Sequence, residues 1–396
     1  MEIKILASTH PGFSLSKNEA LEFSGKSAGI CYEKTTLEDV FNEPSEKSIN
    51  RAKGCIKRGH HSVLGHVFYS LALTGIPKIL AMFLNNEKVY VTSEKSARYT
   101  HMKPSPAEEA LYEKWIGIFT KIILETYNEF DEDSALKLAQ ENARYMISIF
   151  TPATDMEYTA SLRQWNYIIH WAEKYIKEEE DNYFSIKMKT VLKEFLSKMP
   201  DIKIEGLNTE VNNRGFSLIG KRKRKESFGE VYCTNYEATF SCLAQEHRHK
   251  TLSYECLIPE EYLASGFKYE FGVPKDQKFY VPTIIKNTVY EEEWLRDINS
   301  LAEYVPQGTL ININERGTYE MFILKCYERL CGHVQLETAI QTDVTLKKFM
   351  ESVKETDPEV YEEMLPYSHG ARCTFPGFKC QKPCVFGPKN ALNRRI

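Results

Sequence analysis

The chain has 396 residues, 42% hydrophobic and 27% charged, with a formal net charge of −4 at pH 7. That length suits two or more domains with separate cores, and the slight negative balance excludes a global field pulling the protein onto nucleic acid or acidic membrane. The opening MEIKILASTHPGF lacks the basic and long apolar regions of a secretory signal, so the ten cysteines are expected as reduced thiols of a cytoplasmic protein.

In chain order, MEIKILAS reads as a strand by alternation of apolar with other residues. The most apolar run, VLGHVFYSLALTGIPKILAMFL, is interrupted by His66, Pro77 and Lys78. A buried strand, VFYSLALTG, and a helix joined at Gly75-Ile76-Pro77 explain it better than a membrane span. AEEALYEKWIGIFTKIILETYNEF, SALKLAQENARYMISIF, EYTASLRQWNYIIHWAEKYI and TVLKEFLSKM carry apolar residues at helical spacing and predict helices. Near residue 200 the pattern resets into a segment rich in Asn, Gly and charge, including the basic run Lys221 to Lys225. This reads as a solvated connection rather than a phosphate-binding patch. EVYCTNYEATFSCLA then predicts a strand, and YEEEWLRDINSLAEYV and TYEMFILKCYERLCGHVQLETAIQT predict helices. The mixture indicates an α+β fold.

The order of features repeats. Setting Asn86 against Arg248, and Ala143 against Ala302, gives nearly the same separation, the mark of a duplicated domain. The expected organisation is a first copy over residues 1–205, a second over 206–350, and a Cys-containing tail over 351–396, each copy a mixed or antiparallel sheet with long helices.

The segment from Lys57 to Thr100 resembles the N-terminal half of the flavin-dependent thymidylate synthases (thymidylate synthase complementing proteins). Their G-H-x-S/T-x-x-E-H stretch leads through a strand and helix to R-H-R-x(7)-S-x-R-Y. Gly59, His60, Ser62, His66, Glu94, Ser96, Arg98 and Tyr99 match, while Gly65 replaces the glutamate and Asn86-Glu87-Lys88 replaces Arg-His-Arg. The second copy departs in the opposite places. Its AQEHRHKTLS resembles R-Q-x-x-R-H-R-x-x-S, with Gln245, Arg248, His249 and Lys250 at matching positions, but YECLIPEEY stands where S-x-R-Y belongs. TASLRQW resembles the T-x-N-x-R-S element and supplies Arg163, whereas the second copy has Glu320 there; RLCGHVQLETAI resembles R-x-x-x-H-A-Q-x-E-I and supplies Arg329, His333, Gln335 and Glu337.

Members of that family are homotetramers whose sites draw residues from several subunits. The resemblance therefore implies a fused duplication in which each copy lost the half its partner kept, and a homodimer imitating the tetramer. It implies methylation of dUMP to dTMP, with methylenetetrahydrofolate as carbon donor, NADPH as reductant and FAD as hydride carrier. The implied nucleotide ligands are Glu94, Ser96, Arg98, Tyr99, Arg163 and Gln245; the implied FAD ligands are His60, Ser62, Arg248, His249, Lys250, Arg329, His333 and Gln335. The implied catalytic residues are Arg163 and Arg248: planar guanidinium groups at Arg98 and Arg163 suit phosphate oxygens two at a time, and Arg248 or a neighbour suits polarisation of the uracil carbonyl.

The tail, outside the resemblance, spaces His369, Cys373, Cys380 and Cys384 as H-x3-C-x6-C-x3-C. One imidazole and three thiolates suit tetrahedral zinc, and thiolates also hold iron–sulfur clusters; free or redox-active thiols are the other reading. Two further functions compete with catalysis. One is a silent flavin- or nucleotide-binding protein of regulatory role, and the other is a nucleic-acid binder using Lys221 to Lys225, against which the net charge argues.

Overall fold

A computed structural model describes residues 1–9, 15–97, 100–265 and 278–396. Strand β1 (Glu2–Ser8) precedes helices α1 (Lys17–Tyr32), α2 (Leu37–Asn42) and α3 (Ser45–Lys57). Then come β2 (Phe68–Ile76), α4 (Lys78–Asn86), β3 (Val91–Glu94), α5 (Pro106–Thr126), α6 (Glu132–Ala143), β4 (Thr154–Ser161), α7 (Leu162–Glu178) and α8 (Tyr183–Lys198). The later half holds β5 (Val231–Thr239), α9 (Phe240–Glu246), β6 (Ser253–Leu257), α10 (Tyr290–Ser300), β7 (Leu310–Thr318), α11 (Tyr319–Arg329) and α12 (Leu336–Val353). Short helices α13 (Pro358–Met364) and α14 (Gly387–Asn390) follow. The fold is α+β with antiparallel sheets.

Two compact units emerge, and they interleave along the chain. One comprises Met1–Lys95 and Pro152–Phe216, the other Ser96–Thr151 and Ser217–Ile396. The division after Phe216 falls near the connection expected at residue 205, but residues 96–151, which carry α5 and α6, cluster with the later half of the chain.

In the first unit the sheet order is β1-β2-β4-β3. Pro77 ends β2 and opens α4, as the Gly-Ile-Pro punctuation predicts, and every α4 residue from Ile79 to Asn86 is buried. The predicted helix over EYTASLRQW begins late. Thr154–Ser161 instead form β4, with buried residues alternating along the strand, and helix starts only where Ser161 Oγ accepts from Gln164 N at 3.2 Å. From there Leu162, Trp165, Ile168, Ile169 and Ala172 bury one face of α7. Helices α1 and α3 touch backbone to backbone: a Cβ on Gly25 would stand 1.8 Å from the Ser48 carbonyl oxygen. Arg51 locks this corner, donating to the Gly25 carbonyl at 2.9 Å, to Glu33 at 2.6 Å and to Glu43 Oε2 at 2.7 Å.

The second unit has sheet order β5-β7-β6. Its long helices α5 and α10 meet through Trp115 and Trp294, ring centroids 4.9 Å apart and nearly perpendicular. Asp297 there accepts from Lys114 at 2.5 Å and Trp115 Nε1 at 2.9 Å. The predicted strand through FSCLA stops at Thr239, whose Oγ1 accepts from Cys242 N at 2.9 Å and turns the chain into α9. The long predicted helix over 318–342 breaks into α11 and α12, leaving Leu330–Gln335 as a connection.

Both units use one connectivity: strand, buried helix, short edge strand, then a central strand running directly into a helix. The order β2-β4-β3 recurs as β5-β7-β6, and the pair Val91 with Thr159 has its counterpart in Ser253 with Arg316. Among the described residues no helix is long and apolar enough to cross a membrane.

Candidate functional site

In the first unit the turn between α3 and β2 carries His60, His61 and Ser62, and packs on α7 near Arg163. His61 Nδ1 lies 2.9 Å from the Tyr167 hydroxyl and its Nε2 3.3 Å from the Ile56 carbonyl. Burial lowers the His61 pKa against that carbonyl, and the charge of Arg163 lowers it further. The Arg163 guanidinium stands 5.9 Å from the Tyr167 ring, and its buried Nε has no hydrogen-bond partner among the described residues. His60 is exposed with Nδ1 2.7 Å from Tyr32 Oη, and Ser62 is exposed. His61 thus shares this corner with a guanidinium that no ion pair engages among the described residues.

Glu94 lies elsewhere in this unit and is engaged. Its side chain is only 1% exposed, with Lys78 Nζ 2.5 Å from Oε1 and Asn85 Nδ2 3.3 Å from Oε2. The corner at Asn86-Glu87-Lys88 is filled from within: Glu87 is fully buried and Arg214 Nη2 reaches its Oε2 at 2.8 Å. Arg214 also stacks on Trp171, 4.5 Å from the ring centroid. Neither Lys78 nor Arg214 is signalled by a motif.

In the second unit the equivalent corner follows α9. Arg248 is half-buried, and no hydrogen bond or ion pair engages it among the described residues. Lys250 is exposed; burial of its amine and the charge of Arg248 both lower its pKa. His249 is buried, Nδ1 2.9 Å from Glu328 Oε2 and Nε2 3.3 Å from the Met321 carbonyl. The hydrogen bond from His249 holds the Glu328 carboxyl below its ordinary range against partial burial. Glu328 therefore orients the ring, a residue the sequence reading did not single out. Arg329 Nη2 donates to the Gln245 carbonyl at 3.0 Å, so α11 braces the end of α9.

Gln335 is held by protein. It accepts from Arg144, donates to Tyr145 Oη at 2.6 Å, and sits beside buried Glu337, which accepts from Thr239 N, Thr239 Oγ1 and Tyr145 Oη, each at 2.8 Å. His333 is exposed, its Nε2 3.0 Å from the Lys382 carbonyl. Ser96 is exposed and its carbonyl accepts from Thr100 N at 3.0 Å. Arg98 and Tyr99 lie outside the described residues.

Behind the Arg248 corner sits a second cluster that no motif announced. Lys325 Nζ stands 2.5 Å from Glu246 Oε2 and 2.6 Å from Glu315 Oε2, and all three side chains are wholly buried. Tyr232 and Tyr236 donate to Glu315 at 2.6 and 2.8 Å. Burial raises the Glu246 pKa against the opposing charge of Lys325. For Lys325 the two carboxylates override desolvation and raise its pKa.

In the tail, His369 and Cys380 are exposed and Cys373 and Cys384 half-buried. Among the described residues no three His, Cys, Asp or Glu side chains are grouped to hold a metal ion.

Residues 16–200 match the family model described as thymidylate synthase complementing protein. No curated protein matches the chain. Among solved structures, the flavin-dependent thymidylate synthase ThyX of Helicobacter pylori complexed with FAD and dUMP is 15% identical, with 50% of this chain and 94% of that one covered and a TM-score of 0.31. A UMP/dUMP methylase, PolB of Streptomyces cacaoi bound with 5-Br dUMP, is 13% identical, with 49% and 87% covered and a TM-score of 0.31. Residues 16–200, a little under half of the chain, are thus similar to the thymidylate synthase complementing protein family.

Proposed function

We propose that this protein methylates dUMP to dTMP, using methylenetetrahydrofolate as carbon donor and NADPH as reductant, with hydride carried by bound FAD. The observation carrying this reading is a complementarity of commitments. Arg163 and Arg248 have no ion-pair partner among the described residues. In the other copy Asn86 stands opposite Arg248, with Glu87 beside it neutralised internally by Arg214, and Glu320 stands opposite Arg163. A buried or half-buried guanidinium without an anion is costly, and a phosphate is the ligand that relieves it. The repeated strand order supports an origin in which a duplicated gene fused and each copy kept one half.

In this scheme Arg98 and Arg163 hold the nucleotide phosphate, with Ser96 adding a hydroxyl and Tyr99 and Gln245 contacting the nucleotide. Arg248, His249 and Lys250 hold FAD, with His60, Ser62, Arg329 and His333 at its periphery. A fixed cation beside the flavin ring stabilises the reduced anion, and Arg248 polarises the uracil carbonyl so that C6 accepts hydride. Glu94 and Gln335, engaged by Lys78 and by Arg144 and Tyr145, act by shaping the site. A homodimer of fused chains supplies the four lobes the family assembly needs.

The test is thymidylate formation by the purified protein with FAD, NADPH, dUMP and methylenetetrahydrofolate, recording the flavin spectrum in the same cuvette. Multiple turnovers support the proposal, and Arg98→Ala and Arg248→Ala are each expected to abolish them. Full activity in either variant sinks the roles assigned. The internal closure around Gln335 favours one alternative, a flavin-binding homologue without methyl transfer, for which the cuvette would show a flavin spectrum and no product.

A further inference from the structure

Helix α9 is seven residues long and ends at Glu246, just ahead of His247 and Arg248. So short a helix has little stability of its own, so the place of the Arg248 guanidinium depends on what holds the end of α9. One face of α11 does so. Lys325, Glu328 and Arg329 stand at i, i+3 and i+4 on that helix. Lys325 Nζ lies 2.5 Å from Glu246 Oε2, Arg329 Nη2 donates to the Gln245 carbonyl at 3.0 Å, and Glu328 Oε2 lies 2.9 Å from His249 Nδ1. Lys325 is anchored in turn 2.6 Å from Glu315 Oε2 on β7. The half-buried Arg248 therefore has fixed neighbours on both sides, while its own side chain is engaged by no ion pair among the described residues.

The first unit fills the corresponding positions with apolar core. Asn86 stands opposite Arg248, and the pair Val91 with Thr159 stands opposite Ser253 with Arg316. In that register Leu84 answers Glu246, Tyr158 answers Glu315 and Ile168 answers Lys325, and all three are fully buried. Tyr158 Oη donates to the Leu84 carbonyl at 2.8 Å, so these positions meet in the first unit as well. Trp171 and Ala172, also buried, answer Glu328 and Arg329. Packing alone therefore requires no charge at these places. Burying three charges gives up hydration that their mutual attraction returns only in part, and apolar side chains of similar volume commonly serve stability as well or better. The charged version occurs where the corner carries Arg248-His249-Lys250, the apolar one where it reads Asn86-Glu87-Lys88.

We propose that Glu246, Glu315 and Lys325 are positioning residues that hold Arg248 ready for an anionic ligand, the pyrophosphate of FAD. This rests on the reading of the Arg248 corner as the flavin site, and adds that its affinity is set by an ion cluster that touches no ligand. All three side chains are wholly buried, so they act through the end of α9. Short, directed contacts between ammonium and carboxylates fix one placement of that end, where interchangeable apolar contacts would allow several.

The experiment removes the charges and keeps the volumes, combining Glu246→Gln, Glu315→Gln and Lys325→Met in the full chain. Urea midpoints are measured for this variant and the wild type, and each protein is titrated with FAD and, separately, with inorganic pyrophosphate. The variant is expected to unfold close to the wild-type midpoint, yet to bind at least about tenfold more weakly. A role in stability alone would leave the affinity where it was. Should the triple variant not fold, Glu246→Gln alone, which leaves Lys325 paired with Glu315, is expected to weaken binding in the same direction. Undiminished affinity in a folded variant overturns the proposal and leaves the flavin reading standing. Wild-type binding of pyrophosphate but not FAD overturns the flavin reading, and weaker pyrophosphate binding by the variant then still supports the positioning role. A wild type that binds neither probe overturns both.

Discussion

Arg214 Nη2 stands 2.8 Å from Glu87 Oε2, and the carboxylate it neutralises is fully buried at the end of α4. The family's Arg-His-Arg element leads one to expect cations at this corner. Here the corner holds an anion, and the cation comes from the far end of the unit.

Arg214→Ala removes this ion pair from a buried carboxylate and exposes the face of Trp171. Because Arg214 itself is 47% exposed, the pair is partly screened, and a loss of about 1–3 kcal/mol is expected. Arg214→Lys retains charge but not the stacked plane and recovers only part. Urea midpoints of the variants check both, and an unchanged midpoint in Arg214→Ala would show that the pair contributes nothing.

Arg248 is the uncommitted guanidinium of the second unit. On the proposed assignment, replacing it with alanine removes a charged donor to FAD worth about 1.5–3 kcal/mol, a loss of roughly 10- to 100-fold in flavin affinity at 25 °C. Quenching of flavin fluorescence on titration reads this directly. Thermal stability should barely change, since nothing in the described fold leans on this side chain.

The buried trio behaves in the opposite way. Lys325→Met strands two carboxylates in the core and is expected to cost about 3–5 kcal/mol. Adding Glu246→Gln and Glu315→Gln in the same chain restores much of the loss, because the uncompensated charges are gone. A triple variant no more stable than the single one would count against charge as the cause.

Acid sensitivity should be traceable to one carboxylate. The hydrogen bond from Arg51 is the largest influence on Glu43 and lowers its pKa to about 2 from an ordinary value of 4.5. A depressed carboxyl contributes its stability above the unfolded value and loses it as pH falls through the folded one. Stability should therefore drop as pH falls from about 4.5 to about 2. Glu43→Gln should be less stable at neutral pH and flatter across that window. Denaturation midpoints against pH for the two proteins make the comparison; parallel curves would exclude Glu43 as the source.

Much of the framework is readable from residue order, because it depends on neighbours. Proline after an apolar strand ends β2 and opens α4, and the strong helix formers of α5, α8 and α10 lie where their spacing indicates. The failures have local causes too. The alternation of Thr154–Ser161 was masked by the stronger helical pattern after it, and in each unit a capping hydroxyl, Ser161 or Thr239, decided where strand gave way to helix.

The sequence by itself determined which residue types each unit carries: an arginine at 163 with Glu320 at the matching position of the other unit, and an Arg-His-Lys at 248–250 where the first unit has Asn-Glu-Lys. Only the tertiary structure decided which of those groups are free to meet a ligand. Glu94 is taken by Lys78, Glu87 by Arg214, and Gln335 by Arg144 and Tyr145. Periodicity and turn chemistry act over a few residues, whereas a buried charge or amide is satisfied by whatever side chain the fold carries to it, however distant in sequence.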